Sequence, residues 1–212
     1  MRNEAKPLPT LIECGRQFYE RQWMWGSAGN LSLRLKDDPL TLAITPSGLN
    51  KGHLSETDLL TIKDGMSGPT HPRGLVASSD LLIHQAIYRS VPGAGAVFHV
   101  HPMYSTLVSA MHGNPNQLAA LKVGWFEMMR GVGVGDEQES EIAILPNWRD
   151  VSRIAADIAD YIRSNKNAVP AVLLYNHGLV AWGITAEKAR DHLEIIEYVC
   201  QYLYLKRIAD RR

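Results

Sequence analysis

Ala171-Val-Leu-Leu-Tyr-Asn-His-Gly-Leu-Val-Ala-Trp182 reads as two short apolar strands, Ala171 to Tyr175 and Leu179 to Trp182, joined by the tight turn Asn176-His177-Gly178. Helical patterns flank this pair. Upstream, a strand around Ile142 to Leu145 precedes a helix from about Asp150 to Ser164. Downstream, Thr185 caps a long final helix, with Ala189, His192, Leu193, Ile196, Val199, Cys200 and Leu203 along its inner side.

Further towards the N-terminus the same alternation continues. Thr10-Leu-Ile-Glu13 has the form of a capping box, and a helix runs from it to about Trp25, where Gly26 and Gly29 stop it. Leu31 to Leu35 and Leu40 to Ile44 pair as strands around the turn Asp37-Asp38-Pro39, and Leu59 to Lys63 is another strand before Asp64-Gly65. Met66 to Pro72 forms a loop. Ser79 or Asp80 caps a helix through Tyr88, and Gly93-Ala-Gly95 leads into a strand from Ala96 to His101. Pro102 suits the first turn of the next helix, where no backbone donor is needed. Strands alternating with helices predict an α/β sandwich, helices covering a sheet. No linker-like stretch divides residues 1–212, so one domain is expected.

Composition narrows the function. Lys and Arg total 22 and Asp and Glu also 22, so no basic field attracts nucleic acid or an anionic membrane. No apolar run approaches the ~20 residues of a membrane span, and Met-Arg-Asn-Glu-Ala-Lys-Pro does not read as a signal peptide. Cys14 and Cys200 lie far apart in helix-like segments and read as two buried thiols of a cytoplasmic protein.

His99-Val100-His101 carries the chemistry. Residues two apart in a strand share a face, so both imidazoles reach one ion, and His177 in its turn offers a third ligand. Three neutral imidazoles with one open position suit a catalytic zinc. His-x-His alone is also compatible with ordinary hydrogen-bonded side chains. The other five histidines (His53, His71, His84, His112, His192) read as structural, with His84 four residues after Asp80 and able to pair with it on one helix face.

Three small-residue segments, Gly26-Ser-Ala-Gly29-Asn30-Leu-Ser32, Thr45-Pro-Ser47-Gly48 and Ser78-Ser79, offer exposed backbone donors and hydroxyls to a phosphate. Taken singly they read as turns, which Gly, Asn, Pro and Ser make for conformational reasons. None has the spacing of a P-loop or a dinucleotide fingerprint.

Taken together, Gly-Ser-Ala-Gly-Asn-Leu-Ser (26–32), Thr-Pro-Ser-Gly (45–48), Ser-Ser-Asp (78–80), His-Val-His-Pro (99–102) and Asn-His-Gly (176–178) stand in the order seen in class II aldolases. The chain resembles that family over about residues 10 to 205. The resemblance implies an α/β/α sandwich with a central, mainly antiparallel sheet flanked by helices, assembled as a homotetramer. It implies one Zn2+ per subunit on His99, His101 and His177, and a phosphate cradle of Gly29, Asn30, Ser47, Gly48, Ser78 and Ser79.

Two departures bear on the reaction. The family's aldolases carry Glu after the Ser-Ser pair, where this chain has Asp80, shorter by one methylene. Trp125-Phe-Glu127-Met-Met-Arg130-Gly131, followed by Ile142-Ala-Ile-Leu-Pro-Asn147, resembles the family's dehydratase branch, with Arg130 where Lys is commoner. That resemblance makes Glu127 the acid/base group, although an exposed helix Glu is the plain alternative. Trp125, Phe126, Met128 and Met129 are candidate linings of an apolar pocket, or core residues. The activity implied is zinc-dependent dehydration of 5-methylthioribulose 1-phosphate to 2,3-diketo-5-methylthiopentyl 1-phosphate in methionine salvage. A sugar-phosphate aldolase or epimerase is the alternative, and a non-catalytic adducin-like binding module a more distant one.

Overall fold

The computed structural model describes residues 7–64, 71–135 and 139–211. Most of the loop expected over Met66 to Pro72, and the N-terminal segment as far as Lys6, lie outside them.

Among the described residues five helices and eight strands follow one another: α1 Pro7–Glu20, β1 Asn30–Lys36, β2 Thr41–Ile44, β3 Leu60–Lys63, α2 Leu81–Ser90, β4 Ala96–Val100, α3 Met103–His112, β5 Ala119–Val123, β6 Ser140–Leu145, α4 Val151–Ser164, β7 Ala171–Leu174, β8 Gly178–Gly183 and α5 Ala186–Ala209. Short 3₁₀ turns occupy Lys51–His53, Glu56–Asp58 and Glu127–Val132. The strands form one sheet in the order β3-β2-β1-β4-β8-β7-β6-β5. Every pairing is antiparallel except β6 with β7, which matches the mainly antiparallel sheet expected.

Strict alternation builds the layers. Ala96, Phe98 and Val100 of β4, with Leu173 of β7 and Ile142 of β6, pack under α1, α3 and α5. Their neighbours Val97, Val172, Val180 and Ala143 face the other way, against Ile83 and Ile87 of α2 and Ile154 and Ile158 of α4. The sheet is therefore buried on both faces, which explains why its central strands read as apolar runs. His99 follows the parity of Val97, so it turns to the α2 side, where Ser32 and His84 are also buried.

Several boundaries differ from expectation. α1 starts at Pro7, leaving Thr10 inside the helix rather than capping it, and ends at Glu20, because Gln22 adopts φ 63° and turns the chain. Pro7 suits a first helical turn, and that preference displaces the Thr10 box. Pro102 is the N-cap of α3, not a residue within it. β5 was not anticipated: as an edge strand it buries only Leu121 and Val123 while Lys122 faces out, which weakens the signal. Among the described residues no helix is long and apolar enough to cross a membrane. Cys14 and Cys200 are free and buried.

Candidate metal centre and anion loops

The antiparallel register brings one end of four strands together. Asn30 at the start of β1 is opposite His99 near the end of β4, Val100 is opposite Leu179 at the start of β8, and Ser32 is opposite Ile44 at the end of β2. All three histidines singled out in the sequence converge at that end. Their ligand atoms lie within 4.8 Å of one another.

Each histidine is anchored through a bond to its ring or to its own backbone. The Nδ1–H of fully buried His99 donates to the Leu179 carbonyl at 3.2 Å, leaving Nε2 as the lone-pair nitrogen. The His101 N–H donates to the Trp23 carbonyl at 2.8 Å, fixing the residue just beyond β4. His177 follows Asn176, whose φ of 50° is left-handed, a conformation asparagine tolerates. Thr106 on α3 donates its hydroxyl to the His177 carbonyl at 3.1 Å, and the Asn176 N–H donates to Ser109 Oγ at 3.0 Å. Glu197 on α5 accepts from the Tyr104 and Ser105 N–H groups at 2.9 and 2.8 Å, so its carboxylate closes the start of α3 directly after His101-Pro102.

Electrostatics keeps the three rings neutral. Burial pushes His99 well below the usual histidine range, with the neighbouring imidazoles adding to the shift. Burial pushes His101 down to about 4, opposed in part by Asp80 and reinforced by His177 and Lys51. His177 is lowered by burial, again with Asp80 opposing. The Nε2 atoms of His99 and His101 face each other at 2.9 Å, and His177 Nδ1 is buried with no hydrogen-bond partner. Converging lone pairs and an orphaned buried nitrogen are what a divalent cation satisfies, so the donor set fits a metal ion.

The small-residue loops assemble at the same end. Ser47 N–H donates to the Val76 carbonyl at 2.8 Å beside a Pro46–Ala77 bridge, tying the 45–48 and 76–80 segments. Asn30 Nδ2 donates to Asp80 Oδ2 at 2.8 Å and ties the 26–30 segment to them. Gly29 must be glycine: its φ is 77°, and a Cβ there would lie 2.9 Å from the His99 carbonyl oxygen. Gly48 has φ 76° and an open surround, Ser47 and Ser79 are exposed, and Ser78 Oγ accepts from the Asp80 N–H at 3.2 Å.

Other expectations fared differently. His84 does not pair with Asp80 directly, since the Asn30 amide stands between them. Glu127 opens the 3₁₀ turn Glu127–Val132, its side chain 67% exposed and 3.9 Å from Arg130, while the carboxylate felt by His101 and His177 is Asp80. Met129 is core, but Trp125 is 67% exposed, and Phe126 packs on Tyr202 with ring centroids 4.9 Å apart. A cleft of about 1070 Å³ lies beside β5, bounded by Leu118, Tyr161 and Lys166, with none of the three histidines in its walls. Glu197 and Ser109 escaped the sequence reading, as each acts through a backbone group distant in the chain.

Fold and site together define the class. The chain belongs to the family described as Class II Aldolase and Adducin N-terminal domain, which matches residues 9–204. A methylthioribulose-1-phosphate dehydratase from Microcystis aeruginosa is 35% identical over 94% of this chain and 95% of its own length. A bifunctional relative from Nocardia farcinica, named for methylthioribose-1-phosphate isomerase and methylthioribulose-1-phosphate dehydratase, is 38% identical over 93% of this chain, which spans 35% of that relative's length. The l-fuculose-1-phosphate aldolase of Thermus thermophilus shares the fold, with a TM-score of 0.76 at 24% identity over 97% of both chains.

Proposed function

We propose that this chain dehydrates 5-methylthioribulose 1-phosphate, with a zinc ion on His99, His101 and His177. The observation that carries this reading is the convergence of three neutral imidazoles, in a chain whose near full-length Microcystis relative bears that activity's name. A zinc ion there supplies Lewis-acid stabilisation of negative charge beside the substrate carbonyl. Backbone donors of Gly29 and Gly48, the Asn30 amide and the hydroxyls of Ser47, Ser78 and Ser79 hold the phosphate and so fix the reacting carbons. The Glu127 carboxylate takes the proton from carbon 3 and returns it to the departing 4-hydroxyl, which leaves as water. Tautomerisation then gives the 2,3-diketone.

The reading places the reaction in methionine salvage and takes residues 1–212 as one domain of a cytoplasmic homotetramer. One continuous sheet and two buried free thiols support the domain and the compartment. Large apolar side chains left outward, with Trp125 67%, Tyr198 50% and Leu205 48% exposed, support assembly.

A second reading has one observation in its favour: Asp80, not Glu127, is the carboxylate whose field reaches His101 and His177. It gives Asp80 the proton-transfer role and the chain an aldolase or epimerase reaction. Zinc-loaded protein incubated with 5-methylthioribulose 1-phosphate decides between them by mass spectrometry, with Glu127→Gln and Asp80→Asn alongside. The dehydratase reading expects a product lighter by one water, largely lost in Glu127→Gln. Unchanged substrate, with cleavage or epimerisation of fuculose 1-phosphate or ribulose 5-phosphate lost in Asp80→Asn, overturns it.

A further inference from the structure

Lys51 is among the largest fully buried side chains of the protein, 1% exposed, in the 3₁₀ turn Lys51–His53 just after Ser47-Gly48. Lysine is seldom buried without an ionic partner. Among the described residues no carboxylate pairs with it. Its ammonium donates instead to two backbone carbonyls, Ser27 at 2.6 Å and Leu49 at 2.8 Å. Those carbonyls belong to the two loops assigned above to phosphate: Ser27 two residues before Gly29, Leu49 immediately after Gly48. The turn that carries Lys51 is braced from behind, since α1 approaches so closely that a Cβ on Gly15 would lie 2.8 Å from the Lys51 carbonyl oxygen.

A methionine of similar length would fill this space without the desolvation cost of a charge. What the ammonium adds is a cross-link between two loops far apart in sequence and a positive charge beneath them. Two carbonyl dipoles satisfy donors but do not neutralise the charge, and an ammonium has a third donor. Burial accordingly pushes Lys51 down to about 8, with no acidic neighbour opposing the shift.

We propose that Lys51 is the positioning residue of the anion cradle: it clips the 26–29 and 45–49 loops together and holds beneath them the counter-charge that the substrate's phosphate dianion completes. This rests on the phosphate reading of those loops. It extends that reading by naming what holds the outer parts of the two loops at one separation, beyond the Thr45–Leu31 bonds at their base and the link through the Asp80 segment. It also accounts for a buried charge with no counter-ion among the described residues.

Inorganic phosphate is the probe, titrated calorimetrically into zinc-loaded protein, with Lys51→Met, Lys51→Gln and Lys51→Arg compared at matched zinc content. Gln keeps a donor for one carbonyl and loses the charge, so it tests the proposal even where Met fails to fold. The parent binds phosphate with an affinity that falls as salt rises. Met and Gln weaken it by about tenfold or more, Arg by less, while bound zinc stays at the parent level. A merely structural lysine would lower thermal stability in all three variants without sorting phosphate affinity by charge. Phosphate bound as tightly by Lys51→Gln as by the parent overturns the clip and leaves the phosphate loops standing. A parent that binds no phosphate overturns the phosphate reading, and the role of Lys51 with it.

Discussion

His84 Nε2 lies 2.6 Å from Asn30 Oδ1, and this contact fixes which end of the Asn30 amide faces the site. With Oδ1 taken by His84, Nδ2 is left to donate to Asp80 at 2.8 Å. The donation requires the proton of His84 on Nε2, so its Nδ1 accepts from Ser32 Oγ at 2.6 Å, and Ser32 in turn accepts from the Tyr88 hydroxyl at 2.9 Å. Five side chains thus form one directed chain from the helix α2 interior to the carboxylate beside the histidines. Its order requires a neutral His84, and burial pushes that group down to about 4 despite Asp80 nearby.

Stability should therefore depend on pH through His84. The folded-state value of about 4 lies below the ordinary 6.5, so between them the unfolded chain binds a proton that the native one refuses. The contribution is fully present above pH 6.5 and is lost as pH falls towards 4, about 3 kcal/mol at most. Urea denaturation of zinc-saturated protein at pH 7 and pH 5 measures it. His84→Gln should be less stable at pH 7 and lose less on acidification. Equal losses in parent and variant would remove His84 as the source, leaving His99, His101 and His177 to account for the slope.

Metal content tests the converging nitrogens without reference to catalysis. Freshly purified protein should carry one divalent ion per chain by elemental analysis, and His177→Ala or His101→Ala should carry far less. A ligand at about a thousand times its Kd stabilises the native state by about 4 kcal/mol, so chelation should lower the melting temperature by roughly 10 °C. A parent whose melting point ignores chelators, and whose metal content matches that of the alanine variants, would exclude the site.

What could be read in advance followed locality. His99 and His101 share a face because a strand repeats every two residues, and His177 stands in a turn marked by its own neighbours. Gly29 and Gly48 likewise advertised their loops, and both take positive φ. The Asp80–His84 pairing failed because helix spacing permits it while Asn30, fifty residues away, captures both groups. Glu197 drew no reading at all, since nothing near it in sequence reveals that its carboxylate meets the N-terminus of α3. Lys51 was visible as a charge near a loop, but its burial depends on α1 packing over it.

Glu197 should matter to metal binding at one remove. Replacing it by Ala leaves the Tyr104 N–H and the buried Ser105 N–H without acceptors, at a cost of about 1–3 kcal/mol each. Glu197→Gln retains one amide oxygen as acceptor and should lose roughly half as much. Because α3 begins two residues after His101, zinc affinity should fall in the same order, parent above Gln above Ala, in a competition titration with a chromogenic chelator. Equal zinc affinity in all three would confine Glu197 to holding the helix.

Gly178 is where fold and site constrain one residue together. A Cβ at this first position of β8 would lie 2.4 Å from the Val100 carbonyl oxygen, 2.7 Å from His101 Cδ2 and 3.3 Å from His101 Cα. Two of these atoms are backbone of the neighbouring strand end, so relief requires β4 and β8 to separate just where His101 and His177 must meet. Gly178→Ala should therefore cost about 2–4 kcal/mol in chemical denaturation and leave protein that retains little zinc. Gly48→Ala provides the contrast: its φ of 76° is strained for alanine, but nothing lies within 4 Å of the added carbon. It should cost about 1 kcal/mol and keep its zinc. If Gly178→Ala holds zinc as firmly as Gly48→Ala, the close approach of β8 to His101 does not set the ligand geometry.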